Sequence, residues 1–452
     1  MLNIKKTCSR KLFRNCEHRK MSKNLEPNIA NTIKISSVKP IDQQKDGPKY
    51  GLCPACGGPK TSSNWCPPCH SKLLLKENPG WTSGDKNLDD FIKQTIIDAR
   101  RSYDYLEWIP YENFKNIKLI GRGGFATAYF ATRTNCLKGH FTWDAKEKKY
   151  VREHFPDYDI ALKCYHDRDN IAADFLNEVK THHKCMMLQE NGFLQCYGIS
   201  KNPETGQFII VLDYAPHGNL RQFLIENHKN LKWVDGLSMA TKIAKDLKII
   251  HEAGLIHCDF HSGNVLKLTS NPRVSDFGLS RLDEDYIPKD GVYGVIPYVA
   301  PEVLRGKSYR KPSDVYSFGI IMCEISSGKP AFYNVSHDFQ LILQICNGLR
   351  PKASARTPKC YLDLMRRCLD DKPEKRPTAA EIYETCLAWY NDADTYQQFL
   401  SADKINTSSD EDEDQITFTH DKDIYSSRFV PYITTQHDFC TDDDFGRIIL
   451  NN

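Results

Sequence analysis

No apolar run in this sequence approaches the roughly 18 to 20 residues that cross a bilayer. The longest candidates, such as Phe318 to Ile325, are short and broken, so no membrane association is expected. Internal repeats are also missing. Charge of one sign is scarce: 61 Lys and Arg against 58 Asp and Glu leave a net +3, too little by itself to argue for a nucleic-acid or membrane partner. Acids are absent from Met1 to Arg14, which carries Lys, Arg and Ser much as a mitochondrial transit peptide does, although a flexible basic tail is the preferred reading. The chain has neither the short length nor the signal peptide of a secreted disulfide framework, and most of its 17 cysteines stand alone at irregular intervals. A reducing intracellular setting, cytoplasmic or nuclear, is therefore expected.

What is present has the composition of an ordinary folded protein: 452 residues, 40% hydrophobic and 26% charged, enough for one large domain or two lobes with accessory segments. Residues 1–48 are basic (Lys5, Lys6, Arg10, Lys11) and read as a flexible tail, and residues 49–75 form a compact cysteine module. Residues 76–110 read as a helical linker. Asn87 is expected to cap a helix there, because Leu88, Phe91, Ile92, Ile96, Ala99 and Tyr103 recur at helical spacing. That stripe would pack on the next domain or on another copy of itself. Residues 111–391 begin with strand-like runs separated by glycine (Ile117 to Ile120, Ala126 to Ala131, Ile160 to Cys164, Phe208 to Leu212). Beyond Gly218 the texture is helical, with Leu220 to Asn227, Leu237 to Ala253, Ser313 to Ser327 and Ala379 to Tyr390. The fold class expected is α+β, a small sheet-rich lobe followed by a larger helical one. Residues 392–452, polar and acidic at Asp410 to Asp414, are expected for the most part to lack fixed structure.

Gly121, Gly123 and Gly124 lie between two strand-like runs, where glycine lets backbone amides approach phosphates. An ordinary tight hairpin would look similar. Lys163, in Ile-Ala-Leu-Lys, is placed to hold the α and β phosphates of a nucleotide, and Ala161 would leave that strand face open for an adenine ring. Glu178, in a following helical stretch, is expected to pair with Lys163 and position it. The strongest signal is His257-Cys258-Asp259-Phe260-His261-Ser262-Gly263-Asn264 followed by Asp276-Phe277-Gly278. Phosphoryl transfer needs positioning and charge neutralisation more than covalent chemistry. Asp259 suits the base that orients an attacking hydroxyl, and Asn264 and Asp276 offer the oxygen ligands that hard Mg²⁺ prefers.

With these motifs in this order, the chain resembles a eukaryotic protein kinase from about Tyr111 to Tyr390. The wording of the motifs is closest to the tyrosine-kinase-like group. Gly-Val-Ile-Pro-Tyr-Val-Ala-Pro-Glu and Trp-Thr-Ser-Gly are similar to a large family of fungal kinases. The resemblance implies ATP and Mg²⁺ as cofactors, a protein substrate, and an adenine site at Leu212 to Ala215. Leu212 would be the gatekeeper and Asp213 would open the hinge. It also implies that Asp314 braces the catalytic loop and that Arg376 pairs with Glu302 of Ala300-Pro301-Glu302. Several positions depart from the family. Ala126 and Ala128 replace the third glycine and the valine of G-x-G-x-x-G-x-V, which raises weaker ATP affinity and a pseudokinase scaffold as the rival reading. Cys258 replaces the arginine that usually grips a phosphate on the activation segment, so activity should be uncoupled from that switch. From Leu279 to Glu302 the only Ser or Thr is Ser280, with Tyr286 and Tyr293 as further phosphorylation candidates. His261 and Val295 stand where many serine/threonine kinases have lysine and threonine. Ser/Thr specificity is favoured over Tyr or dual specificity.

Cys53-Pro-Ala-Cys56 and Cys66-Pro-Pro-Cys69 are two C-x-x-C knuckles separated by the nine residues Gly57 to Trp65. Four thiolates so spaced suit a structural tetrahedral Zn²⁺, and in so short and polar a segment the metal would supply most of the folding energy. Loose cysteines in a linker are the plain alternative. The module is small enough that a protein partner is expected rather than sequence-specific DNA. Nucleic-acid binding by the basic tail is disfavoured by the opposing acidic tail and the lack of interleaved aromatics. His70 reads as a surface residue rather than a ligand. Cys164, Cys323 and Cys368 read as core residues, and Cys258 as a silent replacement. Ser408 and Ser409 precede acids and are candidate sites for an acid-directed kinase, against the simpler reading of a solvated tail.

Overall fold

The computed structural model describes residues 49–77, 80–123, 126–166, 171–188, 193–283, 291–404 and 425–432. The basic tail, Gly124, Tyr286, Ser408, Ser409 and the acidic run Asp410 to Asp414 lie outside these residues.

Helix α1 (Pro67–Glu77) starts inside the second cysteine knuckle, with proline at its first position, where a missing N–H costs nothing. Helix α2 (Lys86–Asp98) is capped by Asp85, whose carboxylate accepts the Leu88 amide at 3.0 Å. The expectation of Asn87 as cap is corrected: Asn87 already lies in the first turn, and the extended backbone a cap requires occurs two residues earlier. The apolar stripe of α2 packs within the same chain and divides its contacts. Leu88, Phe91 and Ile92 enter the core of the sheet lobe. Ile96 and Ala99 instead meet Trp65 and Tyr105.

The sheet lobe contains β1 (Glu107–Trp108), β2 (Phe114–Arg122), β3 (Ala126–Arg133), β4 (Leu137–Asp144), β5 (Lys149–His154), β6 (Tyr158–Tyr165), helix α3 (Ile171–Met187), β7 (Cys196–Lys201) and β8 (Phe208–Asp213). Six strands form one sheet in the order β1-β7-β8-β6-β3-β2, antiparallel except for β1 against β7. Phe175 and Val179 of α3 pack on Ile199, Ile210 and Leu212. Strand β1 falls within the expected linker, which is thus part of the sheet. Gly198 is what allows this pairing, since a Cβ there would lie 2.0 Å from the Glu107 carbonyl oxygen. The β4–β5 hairpin forms a separate two-stranded ribbon between β3 and β6.

The helical lobe follows with α4 (Leu220–Asn227), α5 (Trp233–Glu252), β9 (Leu255–Ile256), β10 (Val265–Lys267), β11 (Pro272–Val274), β12 (Arg281–Leu282), β13 (Gly291–Gly294), α6 (Pro301–Leu304), α7 (Lys311–Ser327), α8 (Phe339–Cys346), α9 (Lys359–Cys368) and α10 (Ala379–Asn391). Helix α7 is buried on nearly every face: its apolar run Phe318 to Cys323 fills the core, and its buried polar residues Asp314, Ser317 and Glu324 each have hydrogen-bond partners. Arg376 makes a buried two-point pair with Glu302, Nη1 to Oε1 and Nη2 to Oε2, each at 2.8 Å. This ties the segment ahead of α7 to the loop ahead of α10. Cys323 and Cys368 are buried here, and Cys164 in the sheet lobe.

Beyond Asp392 the chain carries more structure than its acidity suggests. Helix α11 (Ala393–Ala402) is capped by Asp392, and its Phe399 is fully buried beside Trp233 and Trp389. Strand β14 (Arg428–Pro431) pairs antiparallel with β13. In both places a few well-spaced apolar residues find a preformed surface, which average composition does not register. Among the described residues, no helix is long and apolar enough to cross a membrane.

Candidate active site and cysteine cluster

The residues expected to handle phosphate come from both lobes. β2 and β3 pair with Gly121 opposite Ala128, and the Gly123 amide donates to the Ala126 carbonyl at 2.8 Å, closing the turn between them. Ala128 lies across from Lys163 on β6, and Ala161 across from Leu212 on β8. Lys163 Nζ lies 2.7 Å from Glu178 Oε1 of α3 and 2.9 Å from Asp276 Oδ1. Tyr165 donates its hydroxyl to the other Glu178 oxygen. Burial alone would favour the neutral amine of Lys163, but Asp276 and then Glu178 outweigh it and hold the ammonium well above its usual range. Burial likewise opposes ionisation of Asp276, yet Lys163 and the Gly278 amide keep its carboxyl below its ordinary value. Asp213 takes a different part from a simple hinge residue. Its carboxylate is engaged by the Tyr197 hydroxyl at 2.7 Å and the Gln195 amide at 3.2 Å.

A two-stranded ribbon explains how Asn264 and Asp276 meet. Val265 pairs with Val274, and the Ser275 amide donates to the Asn264 carbonyl at 2.8 Å, so both residues stand at one open end of β10–β11. Asn264 Nδ2 donates to the Asp259 carbonyl at 3.0 Å, which turns the amide oxygen away from Asp259. Asp314 of α7 accepts the His257 and Cys258 amides at 2.8 and 3.1 Å, fixing the loop that carries Asp259. Phe277 is buried against His182 of α3, Phe193 and His257, a ring stack joining the two lobes. Cys258 holds a left-handed backbone at φ 65° and is buried. Burial raises its thiol to about 12, with Arg281 pulling the other way, so it is chemically quiet. Ser280 is buried with its hydroxyl on the His257 carbonyl, whereas Tyr293 is 49% exposed. Val295 is buried beside this segment.

Sequence reasoning missed one neighbour of Asp259. Ser427, just before β14, donates its hydroxyl to Asp259 Oδ2 at 2.6 Å and lies 3.4 Å from His261 Nε2. Nothing in the local pattern Tyr-Ser-Ser-Arg distinguishes it; its placement depends on a strand pairing across more than a hundred residues.

A family model described as protein tyrosine and serine/threonine kinase matches residues 114–386. The chain belongs to the protein kinase family. It is 33% identical over 232 residues to a probable LIM domain-containing serine/threonine-protein kinase of Dictyostelium discoideum, covering 50% of this chain and 35% of the relative. It is 29% identical over 295 residues to the tyrosine-protein kinase TXK of Homo sapiens, covering 64% of this chain and 50% of that one. To the tyrosine-protein kinase Src64B of Drosophila melanogaster it is 28% identical over 276 residues, 60% of this chain and 45% of the relative. The matches therefore span between a third and a half of these relatives, and both acceptor classes are represented among them.

Outside the kinase lobes' cleft, Cys53, Cys56, Cys66 and Cys69 bring their sulfurs within 4.8 Å of one another, a cluster that could hold a metal ion. Tetrahedral zinc at about 2.3 Å from each sulfur requires sulfurs about 3.8 Å apart. Cys53 and Cys69 are 3.8 Å apart, and Cys56 and Cys66 3.6 Å. The first knuckle turns through the Gly57 amide on the Cys53 carbonyl at 2.8 Å. Tyr150 of β5 places its hydroxyl 3.2 Å from Cys53 Sγ, a partner from the kinase sheet lobe that the sequence did not reveal. The reading of His70 as a surface residue is corrected. It is fully buried, stacked on Trp65 and in contact with Phe141 and Tyr150, and its Nδ1 accepts the Cys66 amide at 2.7 Å. Helix α1 turns it inward, toward a hairpin that no local pattern announces.

Proposed function

We propose that the chain transfers the γ-phosphoryl group of MgATP to serine or threonine hydroxyls of protein substrates. The observation that carries this reading is the convergence of Lys163, Glu178, Asp276, Asn264 and Asp259 at one cleft between the lobes. Lys163, held charged by Asp276 and Glu178 and aimed by Glu178, grips the α and β phosphates, while Gly121, Gly123 and Ala126, at the facing ends of β2 and β3, cover them; Gly124, also expected there, lies outside the described residues. Ala128, Ala161, Leu212, Asp213 and Ala215 frame the adenine, with Asp213 contributing backbone because its carboxylate is already engaged. The outward amide oxygen of Asn264 and the free Oδ2 of Asp276 are the donors that would hold Mg²⁺, whose charge offsets that of the phosphates. Asp259 orients the attacking hydroxyl and receives its proton as the new bond forms. The preference for Ser/Thr is supported by the 2.6 Å reach of a serine hydroxyl to Asp259, while His261, standing where many serine/threonine kinases have lysine, argues the other way. The wording of the motifs supports membership of the tyrosine-kinase-like group, and Gly-Val-Ile-Pro-Tyr-Val-Ala-Pro-Glu and Trp-Thr-Ser-Gly support a relation to the large family of fungal kinases they resemble.

The four cysteines are proposed to hold structural Zn²⁺, supported by the sulfur spacing. The apolar face of the module is turned to its own sheet lobe, so bracing that lobe has more support than capture of a separate protein. The setting proposed is intracellular.

The test is incorporation of label from MgATP into a generic protein substrate by the wild type and by Asp259→Asn, with identification of the phosphorylated residue. Label on Ser or Thr that falls by about 10³-fold in the variant is expected. Label on Tyr would overturn the acceptor assignment, and no label from either protein would remove the enzyme.

A further inference from the structure

The geometry points to residues 425–432 as an acceptor peptide bound in cis, with Ser427 as the chain's own phosphorylation site. This inference rests on Asp259 being the catalytic base. The segment crosses the mouth of the cleft as a strand: Gly294, Tyr293, Val292 and Gly291 of β13 pair with Arg428, Phe429, Val430 and Pro431 of β14. That ladder fixes Ser427 one step beyond the last pair, at Asp259. β-Addition of this kind uses backbone bonds for affinity and alternate side-chain pockets for register. Register is set on both flanks here. Tyr425 is buried, donates its hydroxyl to the Ala331 carbonyl at 3.0 Å, and lies under the Arg221 guanidinium and edge-on to His337. Arg221 also donates to the Tyr425 carbonyl at 3.3 Å, and Arg428 donates to the carbonyl of His337. Val430 is fully buried in the helical lobe's core. Gly291 leaves room for the crossing, because a Cβ there would lie 2.3 Å from the Val430 carbonyl oxygen.

The polar surroundings of the Ser427 hydroxyl are those of a reacting group. A backbone amide can only donate, so the Gly263 N–H at 3.0 Å makes His261 Nδ1 an acceptor and puts the neutral ring's proton on Nε2. That proton faces Ser427 Oγ at 3.4 Å and Asp259 Oδ1 at 3.6 Å. The hydroxyl therefore has a base to receive its proton and a donor beside its oxygen. In the transfer, Ser427 Oγ forms a bond to the γ-phosphorus of ATP, and the bond from that phosphorus to the β,γ-bridging oxygen breaks. ADP departs with the electron pair, and the hydroxyl proton passes to Asp259. The product is a phosphoserine of charge near −2 placed against Asp259, and once Asp259 has released the proton to solvent the two like charges at that distance repel. Phosphorylation thus expels the segment and frees the groove for other substrates.

The experiment uses the full chain with labelled MgATP, mapping phosphorylated residues by mass spectrometry alongside a generic protein substrate. Ser427 is expected to be labelled at a rate per molecule that does not change on dilution, and the generic substrate should be phosphorylated faster after that label has built up. Ser427→Ala should lose this label, and because the segment can then no longer be expelled, its phosphorylation of the generic substrate should stay at the slow initial rate without the later acceleration. Val430→Asp, which weakens the docking and leaves the hydroxyl intact, should slow Ser427 labelling by roughly tenfold or more by lowering its effective concentration. Generic substrate labelled with Ser427 unlabelled overturns the inference and leaves the kinase reading standing. A rate proportional to enzyme concentration, or Ser427 labelling unchanged in Val430→Asp, overturns binding in cis. Label on neither substrate nor Ser427 removes the kinase reading itself.

Discussion

Replacing Arg376 by Met should destabilise the helical lobe by about 3–4 kcal/mol. The guanidinium is fully buried and Glu302 nearly so, and two charge-assisted bonds of 2.8 Å join them. Removing one partner of such a pair costs roughly 3–5 kcal/mol, mostly because the other charge stays buried without compensation. The lower part of that range applies because Ser313 still donates to Glu302 Oε1 at 3.0 Å. Arg376 also donates to the Asp370 and Pro312 carbonyls, which lose a partner in the same variant. Urea unfolding followed by tryptophan fluorescence reads the loss, because Trp233 and Trp389 sit in that lobe. The pair Arg376→Met with Glu302→Leu should recover at least half of the deficit, since no charge is then left buried. A single-variant loss below about 1 kcal/mol, or a double variant as unstable as the sum of its singles, would refute the argument.

Two other outcomes follow from different parts of the chain. His182 is buried with its Nε2–H on the Leu194 carbonyl, and burial depresses its proton affinity from 6.5 to about 4, with that carbonyl opposing. The unfolded chain therefore takes up this proton first: stability is intact above pH 6.5 and falls toward pH 4 by about 3 kcal/mol. His182→Leu should flatten that acid limb, and an unchanged pH profile of the urea midpoint would refute the assignment. If the cysteine cluster holds zinc as proposed, stripping it with a chelator should raise amide exchange at Phe141 to Tyr150 and along α2 as well as in the module, leaving α7 protected. Exchange confined to residues 50–70 would contradict the coupling through Trp65, His70 and Tyr150.

Much of the architecture was legible because its signals are local. Leu220 to Asn227 is a helix with a periodic apolar pattern, Ser313 to Ser327 a helix built around the apolar run Phe318 to Cys323, and Phe208 to Leu212 a short apolar run. The residues of the cleft were nameable because their chemistry demands particular side chains in a fixed order along the chain. Features that depend on distant partners stayed hidden. In the β4–β5 hairpin, β5 alternates exposed Lys149, Val151 and Glu153 with half-buried Tyr150 and Arg152, and with charges on both faces that alternation carries little contrast. His70 gains its burial from Phe141 and Tyr150 of that hairpin, 71 and 80 residues away. Ser427 acquires its place from β13, and only the assembled groove distinguishes it from the serine beside it. The choice between Asp85 and Asn87 as cap turned on backbone dihedrals that either side chain could have accompanied.

Strand β1 and the packing of α2 bear on where the cooperative folding unit of this kinase starts. The motif-bearing region opens near Tyr111, yet Leu88, Phe91, Ile92 and Leu106 fill the same core as Phe175 and Leu212. Trp65 and His70 likewise cover Phe141 and Tyr150. A fragment cut at Tyr111 would bare two apolar surfaces and leave β7 as an open strand edge, an invitation to aggregate. Recombinant fragments beginning near Tyr50 should be monodisperse where those beginning near Tyr111 are not. The ancillary segment and the lobe it covers are, thermodynamically, a single object.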